Sequence, residues 1–183
     1  MILKPGNKPW WGYLEEDLQG LITEALLLID IFSVRSGLDS DGNPEFHDYA
    51  FVVFPAAKAY EGFLKKLFLD MDLITEKDYH GKYFRIGKAL NPSLPKEFRQ
   101  DWVYGKIEKY CGGKDLADKL WRTWKYARNL TFHWFPEEKN SISFAEAKER
   151  VFLVIDSMEK ALKECKIKFD NLINRQNEKR NCS

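Results

Sequence analysis

Apolar side chains recur along most of this sequence at the three- and four-residue spacing of an amphipathic α-helix. Such patterns cover residues 13–34 and 56–71, and another follows Ser143. Residues 49–54 are apolar enough for a β-strand, but no second strand is visible to pair with them, so we expect a helical or extended lead-in. The periodicity therefore predicts an all-α protein, an antiparallel bundle of four to six helices.

Glycine and proline residues mark the boundaries of these helices. Pro55 suits the first turn of the second helix, because its ring presets a helical φ and its missing N–H is not needed there. Gly112 and Gly113 end one helix, and Pro136 ends the next. The expected elements are a short helix near 83–90 within an irregular connector over 74–96, a helix over 95–111 and a helix over 114–133.

The end of the chain combines a well-marked helix with a polar tail. Ser143 and Glu146 have the residue types and the spacing of a capping box, which predicts the start of a long last helix. Residues 171–183 are polar and charged, so we expect a disordered tail there. The remaining length, residues 1–170, suits a single domain.

Composition limits the classes of partner. Lys and Arg number 29 against 28 Asp and Glu, and a net charge of +1 leaves any nucleic-acid site to a local patch. The three cysteines, Cys111, Cys165 and Cys182, lie far apart and form no C-x-x-C pair, which argues against a zinc site or disulfide framework and fits a cytoplasmic setting. The longest apolar run, residues 25–32, is far shorter than the roughly 20 residues of a membrane span. We expect no cofactor, no metal, and neither a membrane nor DNA as partner.

Residues 128–133, with the sequence RNLTFH, are the strongest candidate for a reactive centre. An arginine five positions before a histidine is common by chance. Here the pair falls in the last turns of a strongly amphipathic helix, and a proline and a capped helix follow it. This context makes the segment a better candidate for a reactive centre than an isolated Arg–His pair would be.

Residues 127–133 resemble the Arg-x4-6-His motif of the HEPN ribonuclease superfamily, in which Asn often follows the Arg. Residues 54–67, FPAAKAYEGFLKKL, resemble the helix that carries the catalytic glutamate in the HEPN domain of RnlA-type RNase toxins. The resemblance covers about residues 50–163. It implies a HEPN-like bundle with Glu61, Arg128 and His133 at the catalytic positions. It also implies metal-independent RNA cleavage that leaves a 2′,3′-cyclic phosphate, commonly by a homodimer whose two motifs face a shared cleft.

Two departures from the family limit what the resemblance implies about regulation. Phe135 stands where toxins paired with a nucleotidyltransferase often have tyrosine, so adenylylation at this position is chemically impossible. RnlA-type toxins carry additional N-terminal domains, whereas we expect only the helix over 13–34 in their place. Inhibition by the family's antitoxin or by a phage inhibitor therefore cannot be carried over. An antitoxin protein of another kind stays an open expectation.

The chemistry of the residues agrees with these roles. Histidine has an ordinary pKa near about 6.5, so His133 can exchange protons with the 2′-hydroxyl or the leaving oxygen. Arg128 offers a planar fork of donors to phosphate oxygens. Glu61 lies on the shoulder of its helix's apolar stripe, where it could orient Arg128. Supporting RNA contacts are expected from Asn129, Lys125 and Arg122.

Helical spacing leaves one difficulty and several alternatives. On an ideal helix Arg128 and His133 lie about 140° and roughly 7.5 Å apart, so they converge only if the last turn distorts or a second subunit contributes. Without catalysis, the same cleft could bind RNA, a nucleotide or a protein. In a purely structural alternative, the tryptophan-rich helix is an oligomer interface, His133 caps a helix and Arg128 stacks on tryptophan.

Overall fold

The structure is a computed structural model that describes residues 6, 8–34, 42–134, 136 and 141–165. Every regular element in these ranges is helical, so the prediction of an all-α bundle is confirmed. Five of the described α-helices have eight residues or more. The elements are α1 (Pro9–Tyr13), α2 (Glu16–Val34), α3 (Ala50–Asp70), α4 (Glu76–His80), α5 (Ile86–Ala89), a 3-10 helix (Lys96–Asp101), α6 (Val103–Tyr110), α7 (Gly113–Trp124), a π-helical turn (Lys125–Asn129) and α8 (Phe144–Glu164).

Helix α3 lies at the centre of the bundle. Apolar or small residues occupy more than half of its positions, so it can pack against other helices on more than one side. Eleven of its 21 residues are buried, and it packs against α2 on one side and α8 on another. The hydroxyl of the fully buried Tyr60 donates to the carbonyl of Leu120 in α7 at 3.2 Å and pairs with Ser157 Oγ of α8 at 3.0 Å. Burial raises the pKa of Tyr60, so the hydroxyl stays protonated and available for these bonds.

The helix expected over 13–34 begins at Glu16 as α2, and the short helix α1 precedes it. Leu14 between them has an extended backbone and a buried side chain. The side-chain amide of Gln19 donates to the carbonyls of Trp11 at 2.9 Å and Leu14 at 3.2 Å. These bonds satisfy backbone acceptors that the break exposes. The predicted start at residue 13 was therefore wrong, and a short helix before it was missed.

The expectation that Pro55 lies in the first turn of its helix was also wrong. Helix α3 begins at Ala50, so residues 49–54 are its lead-in and first turns, and Pro55 is the sixth helical residue. The carboxylate of Asp48 accepts the Ala50 amide at 3.0 Å and satisfies one amide of the first turn. Val52 and Val53 are completely buried, and this packing outweighs the backbone hydrogen bond that proline cannot make.

The segment between α3 and α7 contains more helix breaks than expected. The connector over 74–96 holds two short helices, α4 and α5, where one was predicted. The helix expected over 95–111 is a 3-10 helix followed by α6, with an extended Trp102 between them. The indole N–H of Trp102 donates to the carbonyl of Asn91 at 2.8 Å, which holds the break in place. Gly112 follows α6 and Gly113 opens α7, in agreement with the predicted boundary.

Helix α8 follows the predicted pattern closely. Ser143 Oγ accepts the Glu146 amide, and the Glu146 carboxylate accepts the Ser143 amide, so the capping box is confirmed. The apolar seam of α8 faces the core, with Val151, Val154 and Met158 fully buried. The predicted tail over 171–183 lies outside the described residues. Within the described ranges, no helix combines the length and the apolar character that crossing a bilayer requires.

Candidate functional site

The helix that leads to the candidate motif ends in a π-helical turn. The Leu130 amide donates to the carbonyl of Lys125 at 2.8 Å, five residues back, where an α-helix would use the carbonyl of Tyr126. The Tyr126 carbonyl accepts instead the Thr131 hydroxyl at 2.6 Å. The helix therefore ends at Asn129, and the expected helix over 114–133 was predicted too long.

Arg150 of α8 binds the end of this turn. An amino group of Arg150 donates to Thr131 Oγ1 at 2.6 Å and more weakly to the Tyr126 carbonyl at 3.4 Å. Thr131 is nearly buried, with 5% of its surface exposed. Thr131 and Arg150 together satisfy the Tyr126 carbonyl that the wide turn releases, and they anchor the chain just before His133.

Arg128 forms an ion pair with Glu61, the partner that helical angles favoured. Arg128 Nε lies 3.8 Å from Glu61 Oε2, and about equal parts of the two side chains, 39% and 40%, are exposed. The guanidinium carbon also lies 6.0 Å from the ring centre of Trp124 and 5.7 Å from that of Phe132. Two aromatic rings and one carboxylate thus restrain the guanidinium and leave part of it open to solvent.

The close approach of α5 supports this arrangement. Gly87 contacts the indole of Trp124, and a Cβ at this glycine would lie 2.9 Å from Trp124 Nε1. The absence of a side chain at Gly87 therefore allows Trp124 to occupy its position beside Arg128.

The remaining predicted site residues are distributed over two surfaces. His133 is exposed and lies outside any helix, four residues after Asn129. Lys125 and Asn129, at the two ends of the π-helical turn, are also exposed. Arg122 lies apart from the ion pair, because it lines a cleft of about 460 Å³ between α7 and α8 that Glu61, Arg128 and His133 do not line.

Four residues at this site were not among the predicted ones. Phe54 and Phe132 form an edge-to-face ring pair with their centres 5.7 Å apart, next to Arg128. The spacing from Phe54 to Glu61, two helical turns, was a signal that could have placed Phe54 on the same face. Thr131 and Arg150 meet across 19 residues, and local sequence offered no sign of their contact.

No group of three histidine, cysteine, aspartate or glutamate side chains that could hold a metal ion occurs in the described ranges. The site as built offers one guanidinium, one carboxylate, one imidazole nearby in sequence, and aromatic surfaces. These groups can bind an anion, transfer protons and stack on a planar group.

No family model, curated protein or solved structure matches this chain.

Proposed function

We propose that this protein is a metal-independent endoribonuclease of the HEPN type, acting in toxin–antitoxin or antiviral defence in the cytoplasm. The observation that carries the proposal is the contact between Glu61 and Arg128 at 3.8 Å. The resemblance selects these residues from two segments that are 67 positions apart, and their side chains meet at the protein surface. Their contact supports the assignment of both residues to one site.

In the proposed reaction the 2′-oxygen of a ribose attacks the adjacent phosphorus, and the bond from phosphorus to the 5′-oxygen breaks. His133 either accepts the proton of the 2′-hydroxyl, while water protonates the departing 5′-oxygen, or protonates the 5′-oxygen, while water accepts the 2′-proton. Arg128 donates to the phosphate oxygens as their negative charge grows, and Glu61 restrains its guanidinium. The products are a 2′,3′-cyclic phosphate and a 5′-hydroxyl. We expect Asn129 and Lys125 to contact the RNA backbone nearby, and Arg122 to contact it from the cleft between α7 and α8.

The test is cleavage of messenger RNA by the purified protein in EDTA, which removes divalent metal ions. We expect cleavage by the wild-type protein and none by His133→Ala. His80→Ala is a matched control, because His80 is also an exposed histidine near a carboxylate. It is the last residue of α4, and its Nε2 lies 3.4 Å from Glu76. Cleavage that persists in His133→Ala, or that is lost equally in His80→Ala, would contradict the assignment.

A second candidate function is a non-catalytic helical module that binds RNA, a nucleotide or a partner protein with the same surface. The exposure of large aromatic side chains there, 54% for Phe54 and 78% for Trp134, favours a binding role. In that case the Arg128 and His133 variants would change affinity, and no preparation would cleave RNA. A homodimer and an antitoxin partner belong to the first proposal and are measured by sedimentation and by co-purification.

A further inference from the structure

The exposed face of α3 next to Arg128 has an unusual pattern of side chains. Phe54, Lys58, Glu61 and Lys65 follow one another at intervals of four, three and four residues, which places them along one helical stripe. Phe54 and Lys58 are exposed, and Glu61 and Lys65 are partly so. The stripe thus presents an aromatic ring at one end, followed by a lysine, the site carboxylate and a second lysine.

The ring of Phe54 is linked directly to the candidate site. Its centre lies 5.7 Å from that of Phe132, and the Phe132 ring centre lies 5.7 Å from the Arg128 guanidinium carbon. Phe132 thus contacts both the cation and Phe54. A ligand that binds Arg128 through an anion can therefore place an adjoining planar group on the exposed Phe54 ring.

The chemistry of this surface matches an unpaired nucleotide. Among the described residues of this stripe and Arg128, three side chains are cations, Lys58, Lys65 and Arg128, and one is a carboxylate, Glu61. Their summed charge is positive in a chain whose net charge is +1. Aromatic faces beside positive charge are the combination that single-stranded nucleic acids use, with bases on rings and phosphates on cations. Bases inside a duplex have both faces covered by their neighbours and cannot stack on such a ring.

We infer that Phe54, supported by Phe132, is a base-stacking subsite that selects single-stranded RNA and places its phosphate at Arg128. This inference rests on the proposed function for the identity of the substrate. It adds the requirement for an unpaired base, and it assigns the recognition of that base to residues outside the proposed catalytic set.

The test measures binding of a fluorescein-labelled 2′-O-methyl oligoadenylate by fluorescence anisotropy. This RNA has no free 2′-hydroxyl to attack phosphorus, so binding is measured independently of cleavage. We expect Phe54→Ala to weaken binding by roughly 5- to 150-fold, the range for loss of one base–aromatic stack. Phe54→Trp should retain the affinity and Phe54→Leu should not, because leucine keeps apolar bulk without a planar face.

Phe98→Ala is the matched control. Phe98 is also 54% exposed and has a lysine ammonium 5.5 Å from its ring centre, but it lies on the 3-10 helix. Equal affinity losses in the Phe54 and Phe98 variants would overturn the inference, as would full affinity in Phe54→Leu. So would a Phe54→Ala variant that changes the oligomeric state and leaves RNA affinity intact, since the ring would then belong to a protein interface.

A duplex of the same 2′-O-methyl chemistry should bind equally to wild type and Phe54→Ala. If ordinary RNA is never cleaved but the Phe54 variants behave as stated, the proposed function fails and the stacking subsite stands.

Discussion

Arg128 is in contact with three different kinds of group: a carboxylate, two aromatic rings and solvent. Each of the first two restrains the guanidinium, and the exposed 39% of the side chain leaves donors for a ligand. The ion pair itself contributes little to stability, because half-exposed pairs of this kind are worth about 0–1 kcal/mol. In the proposed reaction, the ion pair serves to fix the direction of the guanidinium donors.

Arg128→Lys should therefore reduce RNA cleavage strongly and leave the melting temperature almost unchanged. Lysine keeps the charge but lacks the planar fork, so it cannot present two donors to a phosphate in a fixed direction. We expect a loss of roughly 100- to 1000-fold in kcat, the range for removal of one preorganised donor to a developing oxyanion. Initial cleavage rates and thermal unfolding of the same preparations are the measurements.

Lys77→Arg is the control for the previous experiment, since Lys77 is an exposed cation in α4 to which the proposed reaction assigns no role. It should keep most of the activity. A rate for Arg128→Lys within a few-fold of the wild type would show that Arg128 acts only as a charge. A large fall in its melting temperature would instead assign Arg128 a structural role.

At the residue scale, the sequence predicted contacts within or between regular helices and missed the others. Glu61 and Arg128 were paired from helical angles, and the pair forms although Arg128 lies within the π-helical turn. Arg150 could not be found in this way. Its contact with Thr131 depends on the path of the chain after Asn129, which no periodicity describes.

At the scale of the element, the π-helical turn decides where the candidate motif lies. One wide turn redirects the chain, and the Tyr126 carbonyl that it releases is bound by Thr131 and Arg150. π-Helical turns are rare and frequently mark functional sites. The geometric consequence is direct: His133 follows an anchored bend, so its position depends on contacts made from α8.

Thr131→Val should loosen this bend. Valine keeps the shape of the side chain but removes the hydroxyl, so the Tyr126 carbonyl keeps only the 3.4 Å contact from Arg150. We expect a loss of about 1–3 kcal/mol in the free energy of unfolding, as for a nearly buried polar group left without its partner. The Leu130 amide should also exchange hydrogen faster, which NMR can measure residue by residue.

The control for Thr131 is Thr23→Val in α2, where the hydroxyl also donates to a backbone carbonyl, that of Gln19, at 2.9 Å. That carbonyl is four residues back within a regular helix, so the substitution should change stability little. If both variants lose the same stability and the Leu130 amide stays protected, Thr131 does not anchor the end of the π-helical turn.

The cap of α8 makes a separate prediction at this scale. Backbone and side-chain hydrogen bonds from Ser143 lower the pKa of Glu146 below its ordinary value. A carboxyl whose folded pKa is depressed stabilises the protein above its unfolded pKa, about 4.3, and this contribution is lost as pH falls through the lower folded pKa. Glu146→Gln should therefore be less stable than the wild type at neutral pH, and the difference should disappear in acid.

Urea unfolding of the wild type and Glu146→Gln at several pH values measures this difference. Glu149→Gln serves as the control, because Glu149 is exposed on the same helix beyond the cap. Ser143→Ala should cost about 0.5–2 kcal/mol at neutral pH, the usual range for loss of an N-cap side chain. A pH-independent deficit in Glu146→Gln would mean that its carboxylate contributes by packing and not by charge.

The existence of helices was easier to predict than their ends. Helix α8 was predicted well because its cap and its seam are both local in sequence. The breaks at Leu14, Trp102 and the π-helical turn were missed because bonds between a side chain and the backbone stabilise them, and helical periodicity does not reveal such bonds. Their side chains are Gln19, Trp102 and Arg150. Pro55 was misplaced because core packing around α3 outweighs the local preference of proline.

At the scale of the whole molecule, α3 joins the core to the candidate site. Its buried side carries Tyr60, which binds α7 and α8, and the next residue, Glu61, faces Arg128. The position of the site carboxylate is thus set by the packing of three helices. Folding and site geometry depend on the same element, so variants that disturb α3 should lower both together.

The relation between Arg128 and His133 is best tested in the proposed homodimer. On a continuous helix these side chains would diverge by about 140°, and the chain instead bends after Asn129 toward the Arg150 anchor. If the two motifs of a dimer face one cleft, each centre can use Arg128 of one subunit and His133 of the other. Arg128→Ala and His133→Ala proteins, each inactive alone, should then restore cleavage when mixed.

The amount restored follows from the symmetry of the dimer. Random exchange makes half of the dimers mixed, and in each mixed dimer one of two centres has both groups, so about a quarter of wild-type activity is expected. Differently tagged chains verify by pull-down that mixed dimers form. If they form and activity stays absent, both groups act within one chain, and the bend after Asn129 must bring His133 back to Arg128. If only monomers sediment and the wild type still cleaves RNA, a single chain is sufficient and the dimer proposal is wrong.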